Sequence, residues 1–177
     1  MLLVAAIVWL PSVGRAASPR ALESFVQRCH TSGLAVSLSP MGAATGNVEV
    51  NVSLRNKSRR SCFLSGYVGF GLQDAHHRPQ PSQQVQGSTF FRADTGPQRV
   101  VLKPGARAVT NLAWTDNAWP GEPPRGQCEP PSRWLIVTPP GERSHLLARF
   151  GTTFVCGHGH LTSTALTSAR AGWRIGY

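Results

Sequence analysis

One short segment carries side chains that could bind a soft metal ion. Cys156-Gly157-His158-Gly159-His160 places a thiol and two imidazoles at alternate positions. Alternate side chains of an extended strand share one face, so these three could coordinate zinc or copper. In the competing interpretation Cys156 is oxidised in a disulfide, and the two glycines form a turn that spoils the alternation and exposes both imidazoles. We favour the turn, predict no metal site and no cofactor, and keep a copper or zinc binding protein as an alternative function.

A second segment contains the residue types of a hydrolytic triad. Asp74-Ala75-His76-His77 offers a carboxylate beside imidazoles, and Ser82 follows shortly after. However, the sequence has no Gly-x-Ser-x-Gly motif, and an aspartate after a strand usually begins a turn. The eight acidic residues include no paired carboxylates at a predicted strand end, which disfavours a glycosidase. We therefore predict no catalytic residue and a protein that is not an enzyme, with a hydrolase as an alternative.

The four cysteines are Cys29, Cys62, Cys128 and Cys156. They allow three disulfide connectivities. The first two are centred on the turn-like stretch Met41–Gly46, and the last two are centred on Glu142, just after a Pro-Pro-Gly sequence. Each of these brackets encloses two strand-like runs, so pairing Cys29 with Cys62 and Cys128 with Cys156 would tie the open ends of two β-hairpins. This pairing is favoured, and closing two loops of this size should add roughly 3–4 kcal/mol each.

The first residues are typical of a signal peptide over 1–16. Leu2–Leu10 is apolar and uncharged, Pro11 ends the run, and small residues follow at Gly14, Ala16 and Ala17. We expect cleavage after Ala16, with cleavage after Ala17 as an alternative. An uncleaved anchor is the other alternative, but the apolar run is about half of the ~20 residues that a spanning helix needs. Since paired cysteines also belong to oxidising compartments, we expect a secreted or cell-envelope protein without a stable membrane span.

The rest of the chain predicts an all-β domain. Residues 17–28 form a lead-in with one short helix at Ala21–Arg28, and residues 167–177 form a tail. Between them, over 29–166, about eight or nine short runs have strand character. The clearest is Val48–Arg55, where apolar and polar residues alternate. The fold class that fits best is an antiparallel two-sheet β-sandwich, immunoglobulin-like, with two disulfides.

Three connections have their own expectations. The polar stretch His76–Gln86 is predicted to be a mobile loop, and Thr89–Phe91 a short edge strand. The segment Lys103–Ala106 has proline followed by glycine at its centre, which predicts a type II turn. Asp116–Ser132 is predicted to be a long loop.

Tryptophans offer a different kind of contact, because several of them together could line a carbohydrate platform. Trp114 and Trp134 lie within strand patterns and are predicted to be core residues. Trp119 lies in the Asp116–Ser132 loop and is the better candidate for an exposed contact. Trp173 lies in the predicted tail.

The formal net charge is +10, and arginine carries nearly all of it. The basic residues are scattered; only Arg59 and Arg60 are adjacent, and aromatic residues do not alternate with them. This pattern does not favour nucleic-acid binding. An exported basic protein suits an unknown protein or an anionic envelope polymer as partner; no oligomeric state is predicted.

A set of ordered motifs resembles a known family. In chain order the motifs are Cys29, Leu34–Val36, Val52–Ser58, Ser61–Gly69, Leu72–Asp74, Val101–Ala106, Leu112–Thr115, Cys128, Leu135–Gly141 and Cys156–Leu161. Together they are similar to the exported actinobacterial proteins and lipoproteins called domain of unknown function 4232, over roughly residues 29–166. The chain departs from the family pattern at Val68, where the family has proline, and in having no lipidation cysteine. The resemblance implies an exported β-sandwich with paired cysteines and no activity that can be carried over.

These observations predict an exported, non-enzymatic binding or structural module. Loops of a β-sandwich commonly carry recognition, so His76–Gln86 and Asp116–Ser132 are the expected contact elements.

Overall fold

The computed structural model of the chain describes residues 26–123, 128 and 130–169. The predicted signal peptide, most of the lead-in, residues 170–177 of the predicted tail and with them Trp173 lie outside this part. No helix within the described residues is both long and apolar enough to span a bilayer.

The described residues are mostly β, as predicted. Fourteen strands lie among them: β1 (Gln27–Arg28), β2 (Leu34–Leu38), β3 (Gly42–Ala44), β4 (Asn47–Asn56), β5 (Cys62–Ser65), β6 (Gly69–Gln73), β7 (Pro79–Gln80), β8 (Gln83–Gln86), β9 (Arg99–Leu102), β10 (Arg107–Thr115), β11 (Ser132–Thr138), β12 (Leu146–Thr153), β13 (His160–Ser163) and β14 (Thr167–Ser168). A 3-10 turn covers Thr31–Gly33, and a single turn covers Cys156–Gly159.

Hydrogen bonds join these strands into three sheets. The largest has the order β2-β4-β10-β13-β8, with β3 paired to β4 and β14 paired to β10. The second has the order β12-β11-β6-β7, and the third has the order β1-β5-β9. The pairs β1–β5 and β13–β8 are parallel, and the others are antiparallel. The prediction of two antiparallel sheets is therefore wrong in the number of sheets and in these two pairs.

The core is built by alternation along the long strands. In β4, Val50, Val52 and Leu54 are buried, whereas Asn51 and Arg55 are on the opposite face. Burying a valine or leucine side chain contributes roughly 1.5–3 kcal/mol, so this face holds β4 against its neighbours. One apolar cluster contains the buried residues of both larger sheets.

Both disulfides close the open end of an antiparallel hairpin. Cys29–Cys62 encloses β2 and β4, whose pairing is centred on the Thr45–Gly46 turn. Cys128–Cys156 encloses β11 and β12, whose pairing is centred on Gly141–Glu142. Each cysteine pair has the same centre as the hairpin it encloses, which is why the brackets predicted the pairing found in the structure.

The turn of each bracketed hairpin is hydrogen-bonded to a segment that precedes or follows a cysteine of the other pair. The Asp116 amide, at the start of the loop that leads to Cys128, donates to the Gly46 carbonyl at 3.0 Å. The Thr31 amide, two residues after Cys29, donates to the Glu142 carboxylate at 2.9 Å. We call these two regions the Cys128–Cys156 end and the Cys29–Cys62 end.

Three local predictions are corrected by the structure. Ala21–Arg28 is not a helix in its described part, because Gln27 and Arg28 form β1 beside β5. The stretch His76–Gln86 contains β7 and β8. Thr89–Phe91 is not a strand, because the Thr89 hydroxyl accepts the amides of Phe91 and Arg92 and closes a turn.

Side chains of β8 explain how a polar stretch becomes structural. The Gln84 side chain accepts the Phe70 amide at 2.8 Å and donates to the Val68 carbonyl at 2.7 Å. The Ser82 hydroxyl accepts the Leu72 amide at 2.9 Å. These side-chain groups satisfy the backbone along β6 and link the second sheet to the largest one.

Two other predictions for connecting segments can be compared directly. The type II turn at Lys103–Ala106 is confirmed, because Gly105 has φ 80° and the Ala106 amide donates to the Lys103 carbonyl at 2.9 Å. Thr167 and Ser168, placed in the tail by sequence, pair with β10 as β14.

Candidate functional site

The segment with metal-ligand spacing forms a left-handed turn. Gly157, His158 and Gly159 have φ values of 70°, 56° and 78°, so the extended alternation is lost. Cys156 is in a disulfide and offers no thiolate. The His158 imidazole lies 3.6 Å from the Glu122 carboxylate, whereas the His160 ring packs against Trp119. Within the part of the chain that the structure describes, no three metal-binding side chains come together.

The residues of the possible triad have local structural partners. The Asp74 carboxylate accepts the Arg78 and His76 amides, each at 2.8 Å, and the Arg78 amide makes the largest contribution to lowering the pKa of Asp74. The His77 ring stacks on Trp134 with centroids 4.9 Å apart. The Ser82 hydroxyl accepts the backbone amide of Leu72 in β6. In the described residues, no hydrogen bond joins Ser82 to either imidazole.

A groove runs along the Cys29–Cys62 disulfide. Its volume of about 560 Å³ is large enough for a small ligand or a few units of a polymer. Arg28 and His30 line it from one side, and Arg59 and Arg60 line it from the other. None of the described residues lining it is acidic. We call it the basic groove.

A buried asparagine organises one wall of the basic groove. The Asn56 side chain is inaccessible to solvent and donates to the carbonyls of Arg60 and Leu102, at 2.8 and 2.9 Å. Its amide oxygen accepts both the amide and the hydroxyl of Ser58, at 2.9 and 2.7 Å. The four bonds fix the turn after β4, so the backbone that carries Arg59 and Arg60 is preorganised.

The opposite wall is held by the turn of the β11–β12 hairpin. The Arg28 guanidinium donates to the Pro140 carbonyl at 3.2 Å and lies 5.3 Å from the centre of the Phe63 ring. Gly141 leaves room for it: a Cβ atom there would lie 2.8 Å from a guanidinium nitrogen. Arg28 therefore reaches the groove as a positioned cation.

A carboxylate beside this groove already has hydrogen-bond donors within the protein. Glu142 accepts the Thr31 amide and hydroxyl, each at 2.9 Å, and lies 3.2 Å from the His30 imidazole. The Thr31 amide, then its hydroxyl, then His30 lower the pKa of Glu142. By contrast, neither Arg59 nor Arg60 forms an ion pair in the described part of the chain.

At the other end, a buried carboxylate organises the Cys128–Cys156 region. The Glu122 side chain is only 1% exposed. It accepts the backbone amides of Trp119 and His158, each at 2.6 Å, and of Gly157 at 2.9 Å. Burial raises the pKa of Glu122, but these amides and His158 together lower it further, so the pKa lies below its usual value. The left-handed turn is thus an anion-binding nest occupied by the protein's own carboxylate.

Glu122 and Glu142 share a local sequence that was not recognised as a site. Each ends a Pro-Gly-Glu turn: Gly121 and Gly141 have φ values of 90° and 75°. The Glu122 amide donates to the Trp119 carbonyl, and the Glu142 amide to the Pro139 carbonyl. Proline followed by glycine predicts both turns. Apart from the Trp119 amide, which is three positions from Glu122, the carboxylates' amide partners could not be predicted, because they lie 35 or more positions away in the sequence.

The tryptophans lie where the sequence placed them in two of three described cases. Trp114 is buried and packs on Phe150. Trp119 is 44% exposed. Trp134 is only half-buried, because it lies on the outside of β11 between His77 and Arg149, so its assignment to the core is wrong.

A family model described as Domain of unknown function (DUF4232) matches residues 29–167. The match begins at the first cysteine of the described chain and ends in β14. It confirms the resemblance drawn from the ordered motifs. No curated protein matches the chain.

Proposed function

Since the chain belongs to the family Domain of unknown function (DUF4232), we propose its function from its own geometry: an exported, non-enzymatic module that binds an anionic envelope polymer in the basic groove. The observation that carries the proposal is the basic groove itself, where Arg28, Arg59 and Arg60 meet without an acidic residue in the described lining.

The charge distribution supports this class of ligand. Two carboxylates near the ends, Glu122 and Glu142, bind backbone amides. A guanidinium binds carboxylate or phosphate oxygens through two parallel hydrogen bonds. An extended polymer presents such groups repeatedly, so several modest contacts add along its length.

Two further features support export and the finer fold. Paired cysteines persist in oxidising compartments, which suits the signal-like residues 1–16. We also infer that the two larger sheets pack face to face as an immunoglobulin-like sandwich. Support comes from β4 and β11, whose buried residues Val52, Leu54, Leu135 and Val137 belong to one apolar cluster.

The test measures binding of fluorescently labelled polygalacturonate and polyphosphate, with neutral dextran as control, by anisotropy. The two anionic probes separate carboxylate from phosphate recognition. We expect binding to one or both, weakening as salt rises from about 50 to about 300 mM. The double variant Arg59→Gln/Arg60→Gln should bind about tenfold more weakly.

A charge-matched control separates a site from net charge. Arg133 and Arg149 are exposed on β11 and β12, away from the basic groove, so Arg133→Gln/Arg149→Gln removes the same charge elsewhere. The control should retain binding within about threefold, since general electrostatic attraction is weak at moderate salt. Equal losses in the two double variants, no binding to either anionic polymer at low salt, or equal binding to dextran would refute the proposal.

A further inference from the structure

We propose a second binding site, for a neutral sugar chain, in a groove bordered by Trp119, Phe90 and His160 on the outer face of the largest sheet. This aromatic groove lies at the Cys128–Cys156 end. It is independent of the basic groove in residues and in ligand chemistry.

The floor of the aromatic groove consists of small and polar side chains. Thr115 of β10 is directly opposite Asn47 of β4, and Ala113 of β10 is opposite Thr162 of β13. Residues directly opposite each other in antiparallel strands share a face. This face is the one turned away from Val50 and Val52, which are buried in the core. The floor therefore presents amide and hydroxyl groups, and the Glu49 carboxylate, which lies opposite Ala113 outside the described lining, accepts the Asn111 side-chain amide at 2.6 Å.

The rim of the aromatic groove is apolar and open to solvent. Phe90 is 61% exposed and Trp119 is 44% exposed, and they are two of the few large apolar side chains in the described residues with such exposure. Phe90 is placed there by its neighbour Thr89, whose hydroxyl donates to the Asn111 side chain at 2.6 Å. Exposing two aromatic rings to water beside one groove is unfavourable in free energy. A ligand that covered them with its own apolar surface would remove that contact with water.

The indole of Trp119 is held in place before any ligand binds. Its backbone amide donates to the buried Glu122 carboxylate at 2.6 Å. Gly157 lies under the ring, where a Cβ atom would be 3.0 Å from indole Cε2. The His160 ring lies at its side, with centroids 5.4 Å apart. Because the ring is already fixed, binding costs little side-chain entropy.

The ligand that suits this arrangement has an apolar face and polar edges. A pyranose ring has C–H groups on its faces and hydroxyls around its perimeter. Its face can pack on the Trp119 indole while its hydroxyls reach Asn47, Thr115 or Thr162. The described lining contains no Asp, Glu, Lys or Arg, which favours neutral sugar units. Its volume of about 360 Å³ is large enough for a sugar unit of such a chain.

A peptide is the competing occupant, and the sheet disfavours it. Extended peptides bind by adding to a free strand edge, where backbone amides and carbonyls are available. Here the floor strand β10 is paired on one side with β4 and on the other with β13 and β14. The strand β10 is thus an interior strand and not a sheet edge, so side-chain hydroxyls and amides supply the polar contacts at the groove.

The experiment follows the indole N–H signals of the four tryptophans that remain once residues 1–16 are removed, by ¹H–¹⁵N NMR of the mature protein. The probes are maltohexaose, mannohexaose, xylohexaose and chitohexaose, with decaproline as the peptide probe. The Trp119 signal is assigned from the variant Trp119→Phe. We expect at least one oligosaccharide to shift the Trp119 signal in a saturable way and to leave the Trp134 signal unchanged.

Two variants and a control test the geometry. Trp119→Ala should lower the affinity for the shifting oligosaccharide about tenfold. Phe90→Ala removes a largely exposed ring, should fold normally, and should lower the affinity by about threefold or more. Trp134→Phe is the control and should bind like the wild type.

Several results would overturn the sugar site. The first is the absence of a saturable shift with all four oligosaccharides. The second is a shift with decaproline alone, and the third is unchanged affinity in both Trp119→Ala and Phe90→Ala. Loss of polygalacturonate or polyphosphate binding in Arg59→Gln/Arg60→Gln has no bearing on this result, because those arginines do not line the aromatic groove.

Discussion

The two Pro-Gly-Glu turns have the same local geometry, but their carboxylates hold two different surfaces of the molecule in place. Glu122 and Glu142 each pin the segment that follows a disulfide cysteine, at opposite ends of the hairpins. Glu122 is 1% exposed and bound by backbone amides, whereas Glu142 is 14% exposed and its donors include a hydroxyl and an imidazole. Backbone donors cannot rotate away, so the Glu122 end is fixed by one carboxylate and the Glu142 end is more adaptable.

Glu122 and Glu142 also differ in the segment that each holds in place. Glu122 fixes the base of an exposed tryptophan, beside a groove with no charged residue except histidine in its described lining. Glu142 satisfies Thr31 next to the basic groove, whose other wall is fixed by the neutral side chain of Asn56. The anchoring charge and the exposed charge are thus on different residues: Glu122 and Glu142 shape loops, and Arg59 and Arg60 face the basic groove.

The largest expected effect is the loss of a disulfide, and it shows whether the two disulfides contribute equally to the free energy of unfolding. The disulfides span 33 and 28 positions, so the chain-entropy model gives each a similar value. We expect Cys29→Ala/Cys62→Ala and Cys128→Ala/Cys156→Ala each to lose about 3–4 kcal/mol of unfolding free energy in urea. A loss confined to one pair would show that the ends are not equivalent. The ligand assays should diverge even if stability does not, with the first pair weakening polymer binding and the second weakening sugar binding.

The second prediction compares the two carboxylates directly. Glu122→Gln keeps the shape but turns an N–H₂ group or a weaker acceptor toward three backbone amides. We expect it to cost about 2–3 kcal/mol at neutral pH, since hydrogen bonds to charged groups are the stronger ones. Glu142→Gln should cost clearly less than Glu122→Gln, because the Thr31 hydroxyl can donate to the Ser144 carbonyl instead. Urea titrations of both variants measure the difference, and equal costs would contradict the assigned roles.

The strands and the staples could be predicted from sequence because their signals are local. Alternation over Val48–Arg55 identified β4, and the cysteine spacing identified both hairpins. The strands β7 and β8 were missed because Gln83–Gln86 has no apolar alternation, and its pairing depends on side chains that bond a distant strand. The third sheet was missed for a similar reason, since two-residue strands such as β1 carry no periodicity.

The candidate sites were predicted only in part. Exposure of Trp119 was expected from its Pro- and Gly-rich surroundings, and an anionic partner was expected from net charge. The basic groove was not predicted, because Arg28 and Arg59 are distant in sequence. They line the same groove only because the Cys29–Cys62 disulfide and the turn after β4 bring their segments together. The Glu122 nest depends on three consecutive left-handed residues, for which the two glycines were the only local signal.

The third prediction concerns acid. The pKa of Glu122 is lowered in the folded state, so its contribution to stability is present above the unfolded value of about 4.3 and is lost as pH falls through the folded value. The stability difference between the wild type and Glu122→Gln should therefore shrink steadily below about pH 4. Glu142→Gln should show the same sign with a smaller change. Urea titrations between about pH 7 and pH 2.5 measure both, and a difference that grows in acid would reverse the sign assigned to Glu122.

The smallest expected effect separates the two turns by what lies beside their glycines. Gly121→Ala and Gly141→Ala each place a Cβ on a residue with positive φ, which costs about 1–2 kcal/mol. Nothing lies within 4 Å of the added atom at Gly121, whereas at Gly141 it meets the Arg28 guanidinium at 2.8 Å. The two variants should therefore have similar thermal midpoints, but only Gly141→Ala should displace Arg28 and weaken binding of polygalacturonate or polyphosphate. Because arginine is flexible, it can move without unfolding its surroundings, so binding should change more than stability. Equal polymer affinity in the two variants would mean that Arg28 does not contact the ligand, and the basic groove would then rest on Arg59 and Arg60 alone.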